Sequence, residues 1–454
     1  MKKFVFISIF LALGFTAFST FVIKIPPWYL GSAVETATGL GAKVACSGRY
    51  VSGFSDQRIF DDLAVYSPIT RSLDLTFDDE QSSVDVSLYG MGSTSAKYRE
   101  GLGCTLDIGD SSALDAIALH SIDDNNAEWP RGNRISDVVV EQQKITDKLL
   151  KQDNTENLDT RALLVVKSGA IVAEAYAAEY DENTKFLGWS MGKSITSILI
   201  GSMIHQGKLT LNDANLFAAW DNDERANIRV EDLLTMTSGL GFDETYMPGS
   251  DSTRMLFAAH SASSVALTSP LVKPPSEYFA YSSGTTNLLS RLVFQRAGNT
   301  PQANHDYFAK QILTPLSLQN TIFEVDASGV FVGSSYIYAS ARDWAKFGLL
   351  LLNNGDWFGQ RILADGYVTK MQEANASQNE ARYGFQLWLN SDGIGKEDTN
   401  LRWPNLPADA YMMNGNRSQL VLVIPSLSTV VVRLGWTPGR YPSNEKFARL
   451  LSLD

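Results

Sequence analysis

Cysteine, histidine and positive charge are all scarce in this chain. Two cysteines occur in 454 residues, Cys46 and Cys104, and neither lies near a plausible catalytic histidine motif. The four histidines, His120, His205, His260 and His305, are scattered without metal-ligand spacing. No zinc signature exists, and each histidine reads as a structural or surface residue. The net charge is −12 and no long lysine/arginine run appears, which excludes the basic surface that nucleic acid requires. The acidic stretch 121–133 lacks EF-hand spacing and reads as a solvated linker. No internal repeat is evident. What is present is ordinary globular composition, 44% hydrophobic and 11% aromatic, in a chain long enough for two or three domains.

One long uncharged apolar run stands out, residues 4–23, after Lys2 and Lys3. It is about long enough to span a bilayer at ~1.5 Å per residue. The lysines before it direct the rest of the chain outward. Residues 1–24 therefore read as an anchor in the inner membrane with the body facing the periplasm. Ala17-Phe18-Ser19 offers a cleavage site that would make the protein secreted or periplasmic. Both cysteines follow this segment, in an oxidising compartment. A Cys46–Cys104 disulfide closing a loop of roughly 60 residues would stabilise by about 3–4 kcal/mol; two free buried thiols are the alternative.

The remainder divides at the 121–133 linker into an N-terminal extension, 25–133, and a larger domain, 134–454. In the extension, alternation through Val84, Val86 and Leu88 predicts two strands around an acidic turn. In the larger domain, residues 138–150 read as a helix. The runs 162–167 and 170–180 read as strands across the tight turn Ser168-Gly169, and 419–425 and 428–436 as two buried strands before a terminal helix. Strands at both ends with a helical middle predict an α+β fold: one antiparallel sheet flanked by helices, with a helix-rich insertion.

The chemistry centres on Ser190-Met191-Gly192-Lys193. Serine and lysine three apart share one helix face, and Met191, Ile195, Ile198, Leu199 and Ile204 continue at helical spacing. A lysine carried into apolar surroundings favours its neutral form and can then take the serine's proton. A second match, Ser443-Asn444-Glu445-Lys446, reads as a helix N-cap with a solvated lysine. Tyr281, in Tyr281-Ser282-Ser283, is a candidate acid or base whose phenol would ionise more easily beside a lysine ammonium.

From about Arg161 to Gly435 the chain resembles the serine hydrolases related to class C β-lactamases. The resemblance rests on six ordered segments: WSMGKS, IRVEDLLTMTSGL, EYFAYSSGTTNLLSRLV, ASARDWAKFGLLLLNNG, YGFQLWL and NGNRSQLVLVIPSLSTVVVRLG. It implies Ser190 as the acylated nucleophile, with Lys193 as base or as the group that makes Tyr281 the base. Tyr281 would then protonate the leaving group. It further implies an oxyanion hole from the backbone N–H of Ser190 and Asn416, with Ser283, Asn414 and Gly415 on the substrate side. No metal or cofactor is implied. Two departures matter: Met413-Asn414-Gly415 replaces the usual Lys-Thr-Gly, and Ser283 replaces an asparagine. They point to the esterase and 6-aminohexanoate-dimer hydrolase branch, with a small ester or linear amide as substrate. β-Lactamase or D-Ala-D-Ala peptidase activity, and a non-catalytic penicillin-binding-type sensor, are the alternatives. The extension with its two cysteines resembles that of some exported bacterial members, where tethering or lid formation would be its role.

Overall fold

The computed structural model describes residues 30–120, 122, 127–135, 138–392 and 400–452. The apolar run 4–23, the Ala17-Phe18-Ser19 site and part of the 121–133 linker lie outside the described residues. Among the described residues no helix is long and apolar enough to cross a membrane.

The extension begins with helix α1, Leu30–Tyr50, followed by α2, Asp56–Ala64. Four antiparallel strands come next in meander order: β1, Leu73–Asp78; β2, Ser83–Leu88; β3, Ser93–Arg99; β4, Gly103–Leu106. The predicted hairpin is β1–β2, with Phe77 opposite Val84 and Leu75 opposite Val86. Helix α1 was not legible, since its glycines obscure its apolar face. It lies across this sheet, and the Cys46–Cys104 disulfide joins it to β4 with Cα atoms 6.0 Å apart.

The extension shares its core with the rest of the chain. Ala37, Leu40 and Val44 pack in one cluster with Trp189, Phe257, Tyr336 and Trp436. Gly39 permits this approach, because a Cβ there would sit 2.4 Å from the Phe257 carbonyl oxygen. Two buried ion pairs cross the junction. Lys43 meets Glu324 at 2.5 Å, and Arg161 donates to Asp62 at 2.8 Å.

The larger part opens with α3, Val140–Thr155, then the hairpin β5, Thr160–Lys167, and β6, Ala170–Tyr176. After a short β7, Phe186–Leu187, come α4, Met191–His205; α5, Val230–Leu234; α6, Asp251–Phe257; and α7, Ser283–Ala297. Strands β8, Thr321–Phe323, and β9, Ile337–Ala339, pair with β7. Then follow α8, Ala341–Leu352; β10, Trp388–Leu389; β11, Tyr411–Gly415; β12, Gln419–Ile424; β13, Thr429–Gly435; and α9, Ser443–Leu451. The main sheet is antiparallel in the order β10-β11-β12-β13-β5-β6. It joins chain segments more than 250 residues apart, as strands at both ends predict. Its central strands are buried on both faces: Leu163 and Val165 face α3 and α9, while Leu164 and Val166 face the helical side. That explains their continuous apolar runs.

The second Ser-x-x-Lys match corrects one expectation. Ser443 is the first residue of α9, behind Pro442, and no side chain caps the helix. Lys446 is buried rather than solvated, paired with Asp153 at 3.0 Å and Glu156 at 2.6 Å. Packing of α9 on α3 desolvates the ammonium, and two carboxylates compensate it.

Candidate active site

Helix α4 is buried on every side from Met191 to Met203, as a helix threaded through a core is. Ser190 stands at its N-cap position, yet its side chain makes no capping bond. The hydroxyl is left to other partners at the end of a helix whose dipole favours negative charge. The preceding Trp189 holds a left-handed φ of 47°, a conformation costing a bulky residue on the order of 1–3 kcal/mol. Strand β11 fixes this turn from the other side. A Cβ on Gly415 would sit 2.0 Å from the Gly188 carbonyl oxygen, so glycine is what lets the strand approach the turn that carries Ser190.

Lys193 is 1% exposed. Its Nζ lies 2.9 Å from Ser190 Oγ and 3.0 Å from Ser283 Oγ, and it donates to the Ser334 carbonyl at 3.1 Å. All three partners are uncharged. Burial lowers its pKa to about 8, against the opposing pull of the Glu244 carboxylate. The two Ser-x-x-Lys lysines are thus both buried and differ in counter-charge: Lys446 has carboxylates in contact, Lys193 has hydroxyls and a carbonyl.

Tyr281 completes the cluster. Lys193 Nζ sits 4.9 Å from its ring centroid, and the ring stacks on Trp388 at 5.5 Å with Tyr383 edge-on at 6.0 Å. The expectation of an easily ionised phenol does not hold. Burial pushes the Tyr281 pKa up, and a hydrogen bond with Ser190 offsets this only in part. Desolvation outweighs that hydrogen bond, and the Glu244 carboxylate adds to the rise.

Ser283 does not face substrate space. Its side chain is fully buried and is shared among Lys193, Glu244 and Tyr246, the last at 3.1 Å. The Glu244 carboxylate also accepts from the Ser283 backbone N–H at 2.7 Å and from the Tyr246 hydroxyl at 3.0 Å. Glu244 and Tyr246 escaped the sequence reading. They lie in an irregular loop, and nothing in its spacing signals contact with a helix forty residues on. Gln386, in YGFQLWL, is a third such residue. Buried, it accepts from Thr286 Oγ1 at 2.7 Å, donates to the Leu234 carbonyl at 2.7 Å, and receives Ser194 Oγ on its own carbonyl at 2.6 Å. It ties α4, α5 and α7 together.

A cavity of about 680 Å³ opens over Ser190, within the range of small-molecule sites. Tyr281, Asn414, Gly415 and Asn416 line it, together with Trp189 and Trp388. Among the described residues no charged side chain lines it. No group of three or more His, Cys, Asp or Glu suited to a metal ion occurs among them.

Comparison with known proteins places the fold in a family. The family profile described as Beta-lactamase matches residues 146–450. A 6-aminohexanoate-dimer hydrolase of Paenarthrobacter ureafaciens is 22% identical over 299 residues, covering 58% of this chain and 74% of that protein. Among solved structures, EstCE1, a hydrolase with promiscuous acyltransferase activity, superposes with a TM-score of 0.56 at 17% identity, covering 69% of this chain and 98% of its own. A penicillin-binding protein homologue from Caulobacter crescentus does so with a TM-score of 0.55 at 13% identity, covering 70% and 98%. The fold is that of the serine β-lactamases, penicillin-binding proteins and related esterases, and the chain belongs to the Beta-lactamase family as one of its hydrolases.

Proposed function

We propose that this hydrolase cleaves a small ester or linear amide through an acyl-enzyme on Ser190. The observation that carries the reading is the buried Lys193 amine, 2.9 Å from Ser190 Oγ and without a carboxylate among its hydrogen-bond partners. The two altered pKa values divide the roles. With its pKa lowered to about 8, the amine is partly neutral near neutral pH and can accept the Ser190 proton. The Tyr281 phenol, pushed upward, keeps its proton and can hand it to the leaving group. The Ser190 oxygen adds to the substrate carbonyl, and the backbone N–H groups of Ser190 and Asn416 receive the oxyanion; one such donor is worth about 10²–10³ in rate. The leaving group departs with a proton, and water then releases the acid by the reverse sequence. The related 6-aminohexanoate-dimer hydrolase and EstCE1 support the assignment.

A β-lactamase or peptidase reading would need a cation for the substrate carboxylate. At the matching position β11 carries Met413-Asn414-Gly415, and no charge lines the cavity among the described residues. We also propose that the protein is exported and tethered through residues 4–23, facing the periplasm, which the apolar run and the disulfide support. The test is labelling by a fluorophosphonate. Wild type should be labelled at Ser190 and Ser190→Ala should not; labelling that persists in the variant refutes the nucleophile. Turnover of p-nitrophenyl esters but not nitrocefin separates the two substrate classes.

A further inference from the structure

The family match begins at residue 146, yet nine of the cavity-lining residues lie between Ala33 and Thr70. Ala33, Thr36, Ala37 and Leu40 recur at i, i+3, i+4 and i+7, so one face of α1 forms a wall. The turn Tyr66–Thr70 adds Pro68 and Ile69. Trp189, Met247 and Phe257 line the same cavity. We propose that the N-terminal extension is the specificity wall of this enzyme, and that it selects uncharged substrates carrying an apolar chain. The inference rests on the hydrolase reading above and adds the substrate class to it.

Three observations carry it. The wall is fixed. The Lys43–Glu324 and Arg161–Asp62 pairs are buried at the junction, and the Trp436 indole donates to the Asp62 carbonyl at 3.0 Å. Gly39 is in backbone contact with Phe257. A body held this way shapes a pocket and does not act as a lid. Three of the four α1 wall residues, Ala33, Ala37 and Leu40, are apolar, so each buried methylene of a chain lying there adds to binding. Finally, a substrate carboxylate entering the cavity would lose hydration and meet no cation among the described lining residues, which disfavours charged substrates. The site therefore departs from one built for a zwitterionic linear amide.

The experiment measures kcat/KM for p-nitrophenyl acetate, butyrate and octanoate, and for p-nitrophenyl pentanoate against the hydrogen glutarate monoester. Wild type should favour octanoate over acetate, and pentanoate over the anionic ester, each by about tenfold or more. Thr36→Phe, at a half-buried position pointing into the cavity, should lower the octanoate-to-acetate ratio about tenfold. Leu40→Ala, which deepens the same wall, should raise it. Fluorophosphonate labelling of Ser190 in each variant reports an intact site. Ratios unchanged within about twofold in both labelled variants, or equal rates on the neutral and anionic esters, overturn the inference and leave the hydrolase reading standing. Wild type that neither takes the label nor turns over any ester overturns both.

Discussion

The pKa of Lys193 makes the most exposed prediction, because it fixes a pH profile. If the neutral amine is the base, activity follows the fraction of Lys193 that is unprotonated. With a pKa of about 8, that fraction is about one tenth at pH 7 and about nine tenths at pH 9, so kcat/KM should rise roughly tenfold across that interval. Below pH 7 it should fall about tenfold per unit. The direction follows from the charge: burial disfavours the ammonium, so raising the pH completes a deprotonation that desolvation has already brought within reach. Glu244 opposes the shift, so Glu244→Gln should move the midpoint to lower pH and raise the relative rate at pH 7. The assay is kcat/KM on an uncharged p-nitrophenyl ester between pH 6 and 9.5 at constant ionic strength. A flat profile, or a Glu244→Gln midpoint displaced upward, refutes the assignment of Lys193 as the base.

Four other outcomes are expected. Lys193→Met should cost about 10²–10⁴ in kcat while raising Tm, because folding no longer has to desolvate an amine; a lowered Tm in differential scanning calorimetry contradicts this. Cys46→Ser with Cys104→Ser should lower stability by about 4 kcal/mol for a loop closed across 58 residues, read as a shift of the denaturant midpoint. Gly415→Ala should disrupt the nucleophile turn, since its Cβ has no room against the Gly188 carbonyl; loss of fluorophosphonate labelling ahead of loss of fold is the signature. Lys446→Met should destabilise by about 3–5 kcal/mol by leaving Asp153 buried without its cation, with labelling of Ser190 preserved at temperatures where the variant stays folded.

Local pattern and ordered motifs determined a good deal by themselves. Period-two alternation marked β1 and β2, and continuous apolar runs marked β5, β12 and β13, because a strand's neighbours dictate its side-chain pattern wherever it is buried. The apolar periodicity after Ser190 marked α4, and the order of six segments pointed to the fold and to Ser190, Lys193, Tyr281, Asn414 and Asn416 as candidate site residues. What tertiary structure alone decided was environment. Ser190-x-x-Lys193 and Ser443-x-x-Lys446 are the same words in the chain, and both lysines are buried. Only packing sets one against hydroxyls and the other against Asp153 and Glu156. The same holds for Tyr281, whose phenol is pushed toward its neutral form by burial, stacked on a ring from a segment a hundred residues on. It holds also for Glu244 and for the α1 wall, which reach the site from a loop and from an extension outside the family match. Charge states and pocket walls depend on which distant groups exclude water from a side chain, and that is a property of the folded contacts rather than of residue spacing.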